Sequence, residues 1–119
     1  MVLLYFSGTG NSKYIAELFC RYINIQCHSI EDNIDFSQIL TSEETIVFCY
    51  PIYGSRPPRI MREFVEQHIE FIKNKKIIIF CSQLIFSGDG ARSFTDLFPK
   101  NWIEVIYAEH FYRKLWYIV

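Results

Sequence analysis

Ser7-Gly8-Thr9-Gly10-Asn11-Ser12 is the stretch on which the reading of this chain turns. The apolar run Val2-Leu3-Leu4-Tyr5-Phe6 precedes it, and a helical pattern opened by Lys13-Tyr14-Ile15-Ala16 follows. Strand, short Gly/Ser/Thr loop and helix in that order bring unpaired N–H groups and the positive end of a helix dipole to one place. Two glycines let the backbone turn tightly and approach a ligand closely. The hydroxyls of Ser7, Thr9 and Ser12 and the amide of Asn11 add further hydrogen-bonding groups. The stretch therefore reads as a phosphate site that needs no cationic side chain. The plainer reading is a polar turn with a helix cap, since Ser and Thr favour caps, but a cap alone does not need all six residues.

The letters separate this loop from two other phosphate loops. A Walker A loop requires Gly-Lys-Ser/Thr at its end, and here Lys13 follows Ser12 and precedes Tyr14. A dinucleotide fingerprint requires a third glycine, and Lys13 stands at that position. The pattern Ser/Thr-x-Thr-Gly-Asn-Ser/Thr does fit Ser7, Thr9, Gly10, Asn11 and Ser12, and it resembles the FMN-phosphate loop of flavodoxins. The longer run Tyr5–Ser12 and the phrase Pro51-Ile52-Tyr53-Gly54 are similar to flavodoxin domains that precede a bacterial-type ferredoxin module. This resemblance implies FMN as the cofactor and electron transfer as the activity.

Composition sets the outer limits. A chain of 119 residues, half of them hydrophobic and 21% charged, is enough for one domain with one core and is not a disordered chain. We expect a single domain spanning residues 1–119. The net charge of -1 gives no reason to expect nucleic acid or a membrane as partner, and it departs from the usual acidity of the family that the loop resembles. Cys20, Cys27, Cys49 and Cys81 form no Cys-x-x-Cys pair, so no zinc or iron–sulfur spacing is present and no metal is expected. The ferredoxin-type cysteine run is absent from these residues. Gly8 to Lys13 breaks the N-terminal apolar run almost at once, so no signal peptide is read. No apolar stretch approaches the roughly 20 residues of a membrane-spanning helix. Cytoplasmic localisation is the expectation.

Along the chain, Val2–Phe6 reads as a strand buried on both faces, because it is continuously apolar. Asn11 to about Asn24 reads as a helix with Ile15, Leu18, Phe19 and Tyr22 on its apolar face. Ile25–Ile30 is a second strand with an edge-like alternation. The acidic segment Glu31 to Leu40 has poor periodicity and reads as a short helix or a loop. Thr45–Tyr50 is the next buried strand. It ends at Pro51-Ile52-Tyr53-Gly54-Ser55-Arg56-Pro57-Pro58, where three prolines stop regular structure. A helix follows with Ile60, Phe64 and Ile69 on or near its apolar side, then a strand over Lys76–Cys81. Ser82 to Gly90 is a loop, residues 91–98 a short helix, and Trp102–Glu109 the last strand.

Alternating strands and helices predict an α/β three-layer sandwich around a parallel sheet. The resemblance selects the flavodoxin-like five-stranded order 2-1-3-4-5. Ligands in such sheets bind beyond the carboxyl ends of the strands at the switch point between strands 1 and 3. The loops there are Ser7–Ser12, Pro51–Arg56 and Ser82–Gly90.

By the resemblance the second loop faces the flavin ring. Tyr53 is its candidate stacking residue, or a tyrosine that merely covers the loop. Gly54 is the position whose peptide flips toward flavin N5 and sets the potential. In the third loop, Phe86 reads either as the other ring contact or as a core aromatic. Backbone from Gln83 to Gly90, with Gly88 and Asp89, is placed along the ring's pyrimidine edge. The cofactor-binding set is thus Ser7, Gly8, Thr9, Gly10, Asn11, Ser12, Pro51, Ile52, Tyr53, Gly54, Phe86, Gly88 and Asp89.

Three further features complete the reading. Arg56, Arg59 and Arg62 read as solvated surface or as a docking patch for an acidic redox partner, with a ferredoxin-type donor or acceptor as one possibility. His28, His68 and His110 show neither metal spacing nor a paired nucleophile. The tail from His110 to Val119 is short for the family's last helix, and its apolar end suggests a short substitute helix, a homodimer through an uncovered sheet face or the tail itself, or a fragment of a longer chain. The alternatives to an electron carrier are an FMN-dependent NAD(P)H oxidoreductase acting on quinones or flavins, and a cofactor-free interaction domain.

Overall fold

The computed structural model describes residues 1–8, 10–52, 56–83, 94–99 and 102–112. Five parallel strands form one sheet: β1 (Val2–Tyr5), β2 (Gln26–Ser29), β3 (Thr45–Pro51), β4 (Lys76–Gln83) and β5 (Glu104–Tyr112), in the order β2-β1-β3-β4-β5. This is the strand order expected from the sequence. Among the described residues, α1 (Asn11–Ile23), α2 (Phe36–Ser42), α3 (Arg59–Gln67) and α4 (Ile69–Ile72) lie between the strands.

The alternation of side chains along each strand divides the interior in two. Val2, Leu4, Ile46, Phe48, Tyr50, Ile77, Ile79 and Cys81 face one side, where Phe36, Leu40, Met61, Phe64, Val65, Ile72, Phe94 and Phe98 meet them. Leu3, Val47, Cys49, Ile78 and Phe80 face the other side and meet Ile15, Ala16 and Cys20 of α1. Both faces of β1, β3 and β4 are therefore buried, which is why these strands read as unbroken apolar runs.

The helices depart from expectation in instructive ways. The buried stripe of α1 is Ser12, Ile15, Ala16 and Cys20, with Phe19 at its border. Leu18 and Tyr22, expected inside, are 52% and 89% exposed. The small side chains of Ala16 and Cys20 let the helix lie close against the sheet, where larger ones would hold it off. Asn24 ends α1 in the left-handed conformation (φ 59°), with its N–H bonded to the Cys20 carbonyl. The acidic segment does hold a helix, α2, because the Asp35 side chain accepts the Ser37 N–H and caps it. The helix expected around Ile60, Phe64 and Ile69 breaks at His68. Its N–H reaches the carbonyls of Phe64 and Val65, and its Nδ1 donates to Phe64 O at 2.8 Å.

Three strands, β3, β4 and β5, run past their expected ends. β3 continues to Pro51 and β4 to Gln83, and Pro51 pairs with Ser82. The last strand spans Glu104–Tyr112 and carries one extra residue, Ile106, between the pairs Ile77–Val105 and Ile78–Tyr107. Of the expected helix over residues 91–98, Phe94 is fully buried, and residues 91–93 lie outside the described residues. The tail 113–119 lies outside them as well. Among the described residues, no helix is long and apolar enough to cross a membrane.

Candidate functional site

The carboxyl ends of β1, β3 and β4 lie side by side, so the segments that follow them share one edge of the sheet. Backbone bonds continue the ladder there: Phe6 N–H to Cys49 O at 3.0 Å, and Ile52 N–H to Ser82 O at 2.9 Å. This edge is the switch point, since the chain leaves β1 toward β2 on one side and returns at β3 on the other.

The loop after β1 closes on itself. Ser7 Oγ accepts the Gly10 N–H at 2.9 Å, which leaves the Ser7 hydroxyl proton available to donate. Gly10 stands immediately before α1 at φ 94° and ψ -16°, a region that side chains avoid, and a Cβ there would meet nothing within 4 Å. The glycine is thus required by the backbone and leaves open space before the helix. The Gly10 carbonyl accepts the Tyr14 N–H at 3.0 Å. The amides of Asn11, Ser12 and Lys13 have no backbone acceptor among the described residues, as the geometry of a first helical turn demands. No side chain caps them. Three amides without a backbone partner, open space at Gly10 and a hydroxyl with a proton to donate fit the phosphate end of a cofactor.

Ionic groups add little here. Lys13 is turned to Glu17, 3.8 Å away on the next turn. Among the arginines, Arg59 is exposed and paired with Glu63 at 2.7 Å. Arg62 is half-buried, with its Nε buried and without a hydrogen bond. Arg56 alone of the three is exposed without a carboxylate beside it among the described residues.

Of the expected cofactor-binding set, Ser7, Gly8, Gly10, Asn11 and Ser12 come together at the helix start. Ser12 behaves differently from the rest. The residue is fully buried, and its hydroxyl is 2.8 Å from that of Ser82, so its side chain is turned to the core side of the loop. Pro51 and Ile52 reach the same edge with buried side chains, Ile52 within the core. Thr9, Tyr53, Gly54, Phe86, Gly88 and Asp89 lie outside the described residues.

Behind the loop stand two residues that the sequence reading did not select. Cys49 Sγ donates to the Ser12 carbonyl at 3.4 Å. Burial pushes the Cys49 thiol well above its ordinary range, so it remains a protonated donor. Ser82 lies on the same face of β4 as Ile78 and Phe80. A hydroxyl at the end of an otherwise apolar strand, in register with the side that meets α1, is the signal that would have found it. The remaining thiols of this face are also held protonated: burial and the neighbouring Cys27 push Cys20 up to about 12, and burial raises Cys27. Among the described residues no group of His, Cys, Asp and Glu could hold a metal ion.

Comparison with solved structures finds the same fold in several proteins. Two-electron reduced flavodoxin from Megasphaera elsdenii is 22% identical with a TM-score of 0.80, over 93% of this chain and 85% of that one. A flavoprotein in complex with FMN from Lactobacillus acidophilus is 14% identical with a TM-score of 0.72, over 92% and 91%. An NADPH-quinone reductase from P. pentosaceus is 10% identical with a TM-score of 0.73, over 97% and 84%. No curated protein matches the chain. At these identities the likeness speaks for the fold. The sequence itself speaks for the family: residues 2–117 match the flavodoxin domain, and the chain belongs to that family.

Proposed function

We propose that this chain binds FMN and carries electrons between redox partners. The observation that carries the proposal is the first turn of α1, where the amides of Asn11, Ser12 and Lys13 have no backbone acceptor among the described residues, beside the open space at Gly10 and at the switch point of the sheet. The hydroxyl of Ser7 and the loop residues Gly8 and Thr9 complete the phosphate site. The segments beginning at Pro51 and after Gln83 supply the ring site, with Tyr53 as the stacking residue, Gly54 toward flavin N5, and Phe86, Gly88 and Asp89 along the far edge. A bound flavin supplies the electron chemistry, accepting and returning one or two electrons. The protein positions it and shields it from water. No acid, base or nucleophile is required, and the buried, protonated thiols of Cys20 and Cys49 provide none. The partners are other redox proteins, and the compartment is the cytoplasm.

Titration of the apoprotein with FMN tests the reading through the quenching of flavin fluorescence. We expect one-to-one binding at least roughly tenfold tighter than that of riboflavin, equal to about 1.4 kcal/mol from the phosphate end. A folded apoprotein that leaves FMN fluorescence unchanged overturns the proposal. Steady oxidation of NADPH by the loaded protein, without a partner, moves it to the oxidoreductases instead.

A further inference from the structure

Among the described residues, Ser12 and Ser82 are the buried polar residues, and they bond each other at 2.8 Å. They are 70 residues apart in sequence and connect the first turn of α1 to the end of β4. Two alanines would fill nearly the same space, and replacing both partners of a buried hydrogen bond by apolar groups is close to neutral for stability. The pair is therefore not needed to fill the core.

Ser82 has a second connection. Its carbonyl accepts the Ile52 N–H at 2.9 Å, at the root of the segment after β3. One residue thus ties the helix start through its hydroxyl and the second segment through its carbonyl, and its own chain runs on into the third. From the other side, Cys49 of β3 holds the Ser12 carbonyl at 3.4 Å. Ser12 thus has its amide in the first turn of α1 and its side chain at this junction.

We propose that the Ser12–Ser82 hydroxyl pair is a positioning device that fixes the phosphate cradle against the ring side of the site. This rests on the FMN reading above. A ligand that reaches both ends gains from having them preset at the right separation, whereas a ligand that touches one end does not. The pair acts through the backbone it holds and does not touch the ligand.

The test uses Ser12→Ala, Ser82→Ala and the double variant, with FMN, riboflavin and inorganic phosphate as ligands, the last read by competition against FMN. We expect Ser82→Ala to weaken FMN roughly tenfold, the loss of one well-placed hydrogen bond, with riboflavin and phosphate unchanged. In the double variant no hydroxyl is orphaned, so its melting temperature returns to that of the wild-type apoprotein while FMN stays weak. Ser12→Ala and Ser82→Ala lower FMN affinity by equal factors that do not multiply. Unchanged FMN affinity in Ser82→Ala overturns the inference, as does recovery of FMN affinity together with stability in the double variant. Equal losses for all three ligands overturn it too. If Ser82→Ala does not fold, the double variant carries the same comparison. A wild-type protein that binds no FMN removes both this inference and the function it rests on, whereas normal wild-type binding beside unaffected variants removes this inference alone.

Discussion

The two faces of the sheet are built from different materials. One face packs Phe48, Tyr50 and Phe98 in ring contact with Phe94, and adds Leu4, Leu40, Met61 and Phe64 from the strands and helices around them. The other, among the described residues, is a thinner layer: Leu3, Val47, Ile78 and Phe80 met by Ile15, Ala16 and Cys20 of α1. Three of the four cysteines, Cys20, Cys27 and Cys49, belong to this thin side. The thick face stores stability in apolar volume. The thin face gives up volume for closeness, and it carries the helix start that forms the candidate site.

That contrast yields a ranked set of outcomes. The largest belongs to the thick face. Phe48→Ala leaves a hole among aromatic rings and should cost about 3–5 kcal/mol in urea unfolding. A smaller loss would mean that Phe94 and Tyr50 collapse into the space. Next comes the thin face, where the error is overfilling. Ala16→Leu should cost about 1–3 kcal/mol, and it should also loosen FMN by tilting the first turn of α1. If stability falls and ligand binding does not, closeness of the helix is not what the site depends on.

Gly10→Ala should cost about 1–2 kcal/mol, because φ 94° strains any side chain even in open space. Its effect on FMN should exceed its effect on stability, and circular dichroism beside titration separates the two. Alkaline pH supplies a further contrast. A Cys20 thiol held at about 12 keeps its proton in the folded chain, while the unfolded thiol releases it near 9. Its contribution is therefore complete below pH 9 and is lost as pH rises toward 12. Cys20→Ala should flatten that decline, whereas changes on the thick face should leave the slope alone. The smallest effect is expected outside both cores: Leu18→Ser and Tyr22→Ser should each stay within about 0.5 kcal/mol, since both side chains are exposed.

Much of this architecture could be read from the chain. β1, β3 and β4 announced themselves because burial on both faces leaves no polar residue inside them, and the loop after β1 was legible because few other jobs need two glycines among four hydrogen-bonding residues. The failures have physical causes. In α1, Leu18 and Tyr22 looked like core by size, and the helix instead turns its small residues to the sheet. α2 hides behind weak periodicity, and its mark is the cap at Asp35. The break at His68 depends on a ring nitrogen finding a carbonyl one turn back, which no spacing rule contains. Ser82 was assigned to a loop because it is polar. It is strand, and its polarity is directed inward to Ser12.

The engagement of Lys13 with Glu17 has a consequence for how an anion is kept. The donors open to it are peptide N–H groups and the Ser7 hydroxyl, neutral groups that do not draw a ligand from far off and that depend on salt less than a charged side chain does. Ionic strength shields charges across a Debye length of about 10 Å at 0.1 M, but it does not reach between an amide and an oxygen in contact. An anion seated in the open space at Gly10 should therefore arrive at an ordinary, unsteered rate and survive a high-salt wash. What should dislodge it is acid, which neutralises the anion itself.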